Sequence, residues 1–270
     1  MPTEPLPLSA GRRAFGDDPS GYAQARPGYP AALYARLAEA FPLARARLFE
    51  IGPGPGTATL PLLARQPAAL TVIEPDPRLA SHLRDLAAGR FPQLTVCPAS
   101  FEDAELPAGA FDLGVAATAF HWLEQGPALA KVHRLLRPGG GWAMWWNVFG
   151  DPDARDEFQR ASAPLFRALP ASRSWRNDGG RPFALDVPAR IAELQAAGFT
   201  DIHPDVIRWT LTMDSAQTCA LAATFSQVSQ SPQEVRQAFL AALAELVERD
   251  FGGRVERRFV TALYRARKSG

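Results

Sequence analysis

Three glycines and two acidic residues form the part of this sequence that is best suited to ligand chemistry. The stretch LFEIGPGPGT has Glu50 two residues before Gly52, and Gly54 and Gly56 follow at alternate positions. Glycine permits positive φ angles and lets a ligand approach the backbone closely. A second carboxylate, Glu74, ends the next apolar run, 22 residues after Gly52. The pattern predicts a bare backbone turn flanked by carboxylates, which suits a ligand with hydroxyl groups or positive charge.

The spacing of the glycines argues against a dinucleotide as that ligand. Dinucleotide sites usually have G-x-G-x-x-G, with the pyrophosphate at a helix N-terminus, whereas here the third glycine comes one residue early. Pro53 and Pro55 remove two N–H donors that could hold phosphate, and Glu50 would repel it. A carboxylate at Glu74 can accept hydrogen bonds from two ribose hydroxyls. The residues therefore favour a nucleoside that carries positive charge and no phosphate, a description that S-adenosylmethionine fits.

Short apolar runs that alternate with helical segments must position this turn. The alternation predicts a doubly wound, parallel sheet covered on both faces, and ligands bind at the carboxyl edge of the strands in such folds. The predicted strands are 48–51, 69–74, 94–98, 111–116, 141–148, 202–212 and 254–267. Helices are predicted from Pro30, from about Thr57 and over 77–88, 127–136, 153–169 and 188–197, with 214–250 largely helical.

The alternation of strands and helices loosens after residue 148, which indicates insertions. Long insertions at the carboxyl edge commonly cover a site, so these segments are interpreted as a helical lid. The predicted divisions are a flexible arm at 1–20, a Rossmann-like cofactor-binding core at 21–149, lid insertions at 150–186 and 213–250, and the remainder of the core sheet at 187–212 and 251–270.

The composition argues against several classes of partner. The formal net charge is +1, which provides no bulk field to attract nucleic acid or anionic membranes. No apolar run reaches the length of a membrane span, and the N-terminus lacks a hydrophobic secretory core, so a cytoplasmic protein is expected. The two cysteines, Cys97 and Cys219, lie far apart and without paired Cys/His spacing. Neither a disulfide framework nor a metal site is therefore predicted.

Six motifs of the chain occur in the order and spacing of a known family. They are YAQARPGYP, FEIGPGPGT, VIEPD, ASFEDAELP, FDLGVAATAFHW and LLRPGG. Together they resemble the class I S-adenosylmethionine-dependent methyltransferases, most of all the small-molecule branch with trans-aconitate-type and ubiquinone/menaquinone-type enzymes. The likeness covers Phe15 to Val148 well and the final strand weakly. It implies a seven-stranded sheet with an antiparallel last strand and methyl transfer from S-adenosylmethionine.

The resemblance also implies which residues meet the cofactor. Gly52, Pro53 and Gly54 lie against its methionine and ribose, Glu74 takes the ribose hydroxyls, and Pro75 lies along the adenine. The other implied contacts are Ser100 and Phe101 at the adenine, Ala117 near the sulfur, and Tyr22 and Arg26 at the methionine end, where Arg26 pairs with the carboxylate. Glu50 completes the predicted cofactor-binding set as a carboxylate suited to a cationic ligand.

The sequence departs from the family pattern at three positions. The family often has glycine at Ala99 and aspartate at Ser100, which leaves the hydrogen-bond partner of the adenine open. Pro61 lies inside the first helix after the glycines, where a proline is expected to bend the helix or delay its start.

His121 is the candidate catalytic residue, because it follows the fourth strand at the carboxyl edge. A histidine there is suited to removing a proton from a substrate hydroxyl, orienting the substrate or shaping the pocket, and the sequence leaves these roles and a purely structural one open. Trp145 and Trp146 are interpreted as core residues. Asn147, nearest the edge, is expected to reach the substrate.

The expected chemistry is an in-line displacement at a methyl group that the sulfonium already activates, so alignment is the main task of the protein. The expected acceptor is a small molecule methylated on oxygen, as a carboxylate or hydroxyl, with nitrogen and carbon acceptors left open. No N/D-P-P-Y/F/W run follows the fourth strand, which disfavours exocyclic base amines and glutamine as acceptors. Two alternatives remain, a nicotinamide-dependent oxidoreductase and a non-catalytic S-adenosylmethionine-binding protein.

Overall fold

Seven strands form one sheet in the computed structural model, which describes Gly21 and residues 24–169 and 181–270. Their order across the sheet is β3-β2-β1-β4-β5-β7-β6. The first five strands pair in parallel, and β7 runs antiparallel between β5 and β6. The strands are β1 Arg47–Ile51, β2 Ala69–Ile73, β3 Leu94–Cys97, β4 Phe111–Ala117, β5 Leu136–Val148, β6 Phe199–Asp214 and β7 Arg254–Lys268. The predicted fold class, a doubly wound sheet with an antiparallel last strand, is confirmed.

Helices cover both faces of the sheet and build a layer beyond its carboxyl edge. They are α1 Ala31–Ala40, α2 Thr59–Leu63, α3 Pro77–Ala87, α4 Gln125–Leu135, α5 Glu157–Arg167, α6 Val187–Ala196, α7 Ser215–Ala223, α8 Ser226–Ser229 and α9 Gln233–Phe251, with 3₁₀ turns at Phe120–Trp122 and Phe183–Leu185. No helix in the described ranges has both the length and the apolar character needed to cross a bilayer. The predicted arm at 1–20, Tyr22 and the insertion residues 170–180 lie outside the described residues.

Helix α2 is shorter and begins later than the sequence predicts. Pro61 is its third residue, within the first turn, where backbone N–H groups have no partner inside the helix. The missing N–H of Pro61 therefore costs little at that position, whereas a proline deeper in a helix would break a hydrogen bond. Helix α2 begins at Thr59 instead of the predicted Thr57. This later start agrees with the expectation that Pro61 delays the helix.

Alternating side chains of the central strands build two apolar layers, one on each face of the sheet. Phe49 and Trp142 belong to one layer, and Leu48 and Trp145 belong to the other. A third cluster joins β7 to the helices of the predicted lid insertions. Its fully buried members include Phe158, Leu221, Val228, Leu243, Val247 and Phe259. The insertions thus carry an apolar core of their own, which anchors them to the antiparallel end of the sheet.

Candidate functional site

A cavity opens at the carboxyl edge of β1, β2 and β4. Its volume is about 1030 Å³, including the space at its opening to solvent. Strand β1 lies between β2 and β4, so the chain reverses its direction of travel across the sheet at this point, where ligands of open α/β folds bind. The structure brings nine predicted site residues together on the cavity wall: Arg26, Gly52, Pro53, Gly54, Glu74, Pro75, Ser100, Phe101 and Ala117.

The glycine turn combines tight packing with bare backbone. Gly52 has a φ of +61°, and a Cβ added there would lie 2.7 Å from the Cβ of Ala119. Gly54 has a φ of +57°, and no atom lies within 4 Å of a Cβ added there. Gly52 therefore allows the turn to pack against the segment after β4, whereas Gly54 leaves open space beside the backbone of the cavity wall.

Every backbone N–H of residues 52–56 is already bonded inside the protein or absent. Gly52 N donates to the Ile73 carbonyl at 3.0 Å, and Gly54 N donates to the Glu74 carboxylate at 3.0 Å. Gly56 N donates to the Pro53 carbonyl at 3.1 Å. The two residues between the glycines are prolines, which have no N–H. A diphosphate would find no donor in this turn, and it would meet the carboxylate of Glu74. The turn fits a cationic nucleoside without phosphate.

Glu74 is held in place by the backbone on both sides. Its Oε2 accepts from Gly54 N at 3.0 Å, and its Oε1 accepts from Asp76 N at 2.9 Å. The side chain is 3% exposed, and burial raises its pKa to about 7, against the lowering effect of these two hydrogen bonds. Each carboxylate oxygen can accept a second hydrogen bond, so the residue retains the capacity to bind ribose hydroxyls.

Glu50 lies behind the glycine turn and is not part of the cavity wall. Its side chain is fully buried, and its Oε2 accepts a hydrogen bond from Thr59 Oγ1 at 2.7 Å. Burial raises its pKa to about 7, and the nearby charge of Glu74 adds to the effect. Its predicted role is therefore limited to the field that the carboxylate exerts on a cation in the cavity.

Comparison with known proteins decides which of the expected classes applies. Residues 48–140 match the family model of a methyltransferase domain. Over 235 residues, the chain is 26% identical to an uncharacterized methyltransferase of Mycobacterium tuberculosis, covering 87% of this chain and 85% of the relative. It is also 31% identical over 173 residues to the malonyl-[acyl-carrier protein] O-methyltransferase of Geobacter sulfurreducens, covering 60% of this chain and 62% of that one.

A solved structure shares the fold across almost the whole chain. The phosphoethanolamine N-methyltransferase 2 of Haemonchus contortus, in complex with S-adenosylmethionine, superposes with a TM-score of 0.57 at 13% identity. The superposition covers 96% of this chain and 60% of that protein. Residues 48–140 are a methyltransferase domain, and the chain is an S-adenosylmethionine-dependent methyltransferase. The predicted enzyme class and the predicted cofactor are confirmed.

A short segment before α1, residues 26–29, contributes Arg26, Pro27 and Tyr29 to the cavity wall of the methyltransferase. We call this segment the strap. Arg26 donates to Thr224 through Nε at 3.0 Å to the hydroxyl and through an Nη at 3.1 Å to the carbonyl. Its guanidinium also lies 5.3 Å from the ring centre of Phe149. Arg26 thus reaches the cavity from a contact with the second insertion, and its predicted pairing with the cofactor carboxylate remains a prediction.

Two hydroxyl groups of the methyltransferase face each other at the cavity wall and were missed by the sequence reasoning. Tyr29 on the strap and Thr118 after β4 place their oxygens 2.9 Å apart. Thr118 has a φ of +54°, which is strained for a β-branched residue and is typical of functional sites. Its N–H donates to the Trp145 carbonyl at 2.7 Å, which helps to hold this conformation. Other lining residues outside the predicted set include Glu102, Trp122, Leu123 and Phe149. Asn147, which was expected to reach the substrate, also lines the cavity.

The hydrogen bonding of His121 determines what its ring can do. Trp146 Nε1 donates to His121 Nδ1 at 3.0 Å. An indole nitrogen only donates, so Nδ1 carries no proton and the neutral ring holds its proton on Nε2. Such a ring presents a donor, since its basic nitrogen is occupied. His121 is also not a lining residue, although Trp122 beside it is. The geometry favours an orienting or packing role over that of a general base.

At the predicted adenine end, Ser100 and Phe101 are engaged with neighbouring side chains. Ser100 Oγ donates to Asp103 Oδ2 at 2.6 Å, and Asp103 N donates back to the Ser100 hydroxyl at 3.1 Å. The Phe101 ring is stacked with Phe49, with ring centres 6.4 Å apart. Within the described ranges, no three His, Cys, Asp or Glu side chains converge in a way that could hold a metal ion.

Proposed function

We propose that this methyltransferase transfers the methyl group of S-adenosylmethionine to an oxygen of a small molecule, most favourably to a carboxylate. The composition of the cavity wall carries this proposal. Its described lining residues include no histidine, lysine or cysteine, and its two carboxylates, Glu74 and Glu102, belong to the segments proposed for the ribose and the adenine. A carboxylate is already ionised at neutral pH and needs only placement, whereas an alcohol needs a base to remove its proton. The wall therefore suits an acceptor that brings its own negative charge.

The cofactor is proposed to lie along the carboxyl edge with its ribose on Glu74 and its adenine between Pro75 and Phe101. Gly52, Pro53 and Gly54 pass beneath its methionine part, and the methyl group then points toward the ends of β4 and β5. The acceptor side of the cavity is lined by Tyr29, Thr118, Trp122, Asn147 and Phe149. Aromatic faces stabilise a sulfonium through cation–π attraction, and the two hydroxyls are suited to holding an acceptor oxygen.

Alignment supplies most of the rate acceleration in this scheme. Well-oriented reactants gain about 7–11 kcal/mol relative to free encounter, and bound S-adenosylmethionine supplies an activated methyl group. The chain contributes a tightly packed glycine turn, the strap and a wall with several aromatic side chains. His121 is proposed to support Trp122 and Trp146 rather than to carry a proton. The Geobacter relative is named for O-methylation of a malonyl group, which supports oxygen as the acceptor atom.

The two insertions, 150–186 and 213–250, are proposed to form a lid over this site. Thr224 in the second insertion bonds Arg26 of the strap. Phe225 beside it stacks with the cavity-lining Phe149, with ring centres 5.5 Å apart. These contacts connect the insertions to the cavity wall, as a lid requires.

Transfer of an isotopically labelled methyl group tests the proposal directly. The enzyme is incubated with methyl-labelled S-adenosylmethionine and a panel of small carboxylic acids, phenols and amines, and products are identified by mass spectrometry. Mild alkali then distinguishes the bonds, because methyl esters release methanol and methyl ethers or amines do not. We expect an alkali-labile product. An alkali-stable, nitrogen-linked methyl group as the sole product would contradict methylation on oxygen.

A further inference from the structure

A chain of hydrogen bonds runs from the antiparallel end of the sheet to the strap. Trp209 Nε1 on β6 donates to Thr261 Oγ1 on β7 at 3.0 Å, and that hydroxyl donates to Asn147 Oδ1 on β5 at 2.7 Å. Asn147 Nδ2 then donates to the strap carbonyls of Pro27 at 3.4 Å and Gly28 at 3.2 Å. Three neighbouring strands are thereby connected to one short segment of the cavity wall.

The direction of this chain is determined by the chemistry at its two ends. An indole N–H only donates and a backbone carbonyl only accepts. Thr261 must therefore accept from Trp209 and give its own proton to Asn147, which turns the amide NH₂ toward the strap. Thr261 is fully buried and Asn147 is 9% exposed. Buried hydrogen bonds arranged in series polarise and strengthen one another, so the far end of the chain affects the near end.

The two strap carbonyls belong to the peptide groups on either side of Gly28, which is the most flexible residue of the strap. Other attachments of the strap include those of Arg26 to Thr224 and Phe149 and of Tyr29 to Thr118 and Trp145. Asn147 therefore restrains the middle of the strap, between two side chains that line the cavity. Without it, the glycine could rotate and shift Arg26, the predicted partner of the cofactor carboxylate, while Tyr29 stays packed against Trp145.

We propose that Asn147 and Thr261 are positioning residues for the cofactor. They hold the strap that carries Arg26, the predicted partner of the cofactor carboxylate, and take no part in methyl transfer. Asn147 lines the cavity, but both ends of its amide are engaged within the protein. Its role is then to hold the strap, which revises the expectation that it reaches the substrate. The inference depends on the proposed placement of the cofactor in this cavity, and it assigns a cofactor-binding function to β7, which lies outside the matched methyltransferase domain.

Substitutions at Thr261 test this inference. Thr261→Val keeps the volume of the side chain and removes both hydrogen bonds, whereas Thr261→Ser keeps the hydroxyl. We expect Thr261→Val to raise the Kd for S-adenosylhomocysteine, and the KM for S-adenosylmethionine, about tenfold, which corresponds to roughly 1.4 kcal/mol. The kcat should change less than twofold, and Thr261→Ser should restore both constants to within about twofold. Thr212→Val, on the exposed part of β6, is the matched control and should leave both constants unchanged.

A second variant keeps the test decisive if Thr261→Val folds poorly. Trp209→Phe removes only the donor at the far end and retains an aromatic ring against Phe259, whose ring centre lies 5.0 Å away. We expect a smaller rise in Kd of about threefold, with the folded state preserved. Variants with lowered melting temperatures but wild-type Kd and KM would overturn the inference, since they would show a structural role only. Failure of the wild-type protein to bind S-adenosylhomocysteine would instead contradict the placement of the cofactor.

Discussion

Cofactor binding should release protons from the carboxyls around the glycine turn. Burial raises the pKa of both Glu50 and Glu74 to about 7, so each is about half protonated at pH 7. A sulfonium cation and the hydroxyl donors of a ribose both stabilise the ionised form of a nearby carboxyl. Binding of S-adenosylmethionine therefore shifts both groups toward ionisation, and the protons leave the protein.

The magnitude follows from the two pKa values. A group with a pKa of about 7 that becomes fully ionised releases about 0.5 protons at pH 7 and about 0.9 at pH 6. The two carboxyls together then release about one proton at pH 7. Affinity should rise with pH, because the ionised form is the binding form. At pH 6 it should lie about tenfold below the high-pH limit for each carboxyl that must ionise.

Titration calorimetry measures this release without any knowledge of the methyl acceptor. The binding enthalpy is measured at pH 7 in phosphate and in Tris, and its dependence on the ionisation enthalpy of the buffer gives the number of protons. Glu74→Gln should reduce the release by about 0.5 protons and weaken binding by one to two charge-assisted hydrogen bonds, about 1.5–3 kcal/mol each. Glu50→Gln is the matched control. It should reduce the proton release by the same amount as Glu74→Gln but weaken binding less, because Glu50 lies behind the cavity wall.

S-adenosylhomocysteine provides a further comparison, since it carries the same ribose but no sulfonium charge. We expect it to release fewer protons than S-adenosylmethionine and to retain the contribution of Glu74. Tight binding of S-adenosylmethionine with no buffer dependence at pH 7 would show that neither carboxyl releases a proton on binding. A proton release that stays at the wild-type value in both glutamine variants would contradict the assignment of the protons to Glu50 and Glu74.

Three further predictions concern the same region. His121→Ala should leave cofactor affinity unchanged and lower turnover. The pH–rate profile should keep both limbs, because Nδ1 of His121 already accepts a hydrogen bond from Trp146. Loss of the acidic limb in this variant would instead show that His121 is the general base. Gly52→Ala should destabilise the fold by about 1–3 kcal/mol in denaturant unfolding, because its Cβ would lie 2.7 Å from another Cβ at a φ of +61°. Gly28→Ala, where an added Cβ meets nothing within 4 Å, is its control, and equal stability of the two variants would contradict the steric reason. Stability of the cofactor-free enzyme should fall as pH rises from about 4.5 to 7, because the folded Glu50 and Glu74 hold protons more tightly than the unfolded chain. Glu50→Gln should flatten that slope in pH-dependent melting curves, and an unchanged slope would count against the raised pKa of Glu50.

The order of the strands and the chemistry of the glycine turn could both be predicted from local sequence patterns. Each predicted strand overlaps one observed strand, because a short apolar run bounded by turn residues is a local signal. The bounds were less well defined: β6 runs from Phe199 to Asp214, beyond the predicted 202–212. The turn was also readable, since the backbone there requires glycine and the prolines exclude N–H donors regardless of what surrounds them.

The pairing of the side chains at the site could not be predicted from the sequence and follows from the folded chain. Thr261 and Asn147 are 114 positions apart, and Arg26 and Thr224 are 198 apart. Their contacts follow from the insertion of β7 between β5 and β6 and from the register that pairs Asn147 with Thr261. The same holds for Trp146, which sets the proton position on His121 from a neighbouring strand. Local patterns carry no information on such partners, because strand order and register depend on the packing of the whole sheet.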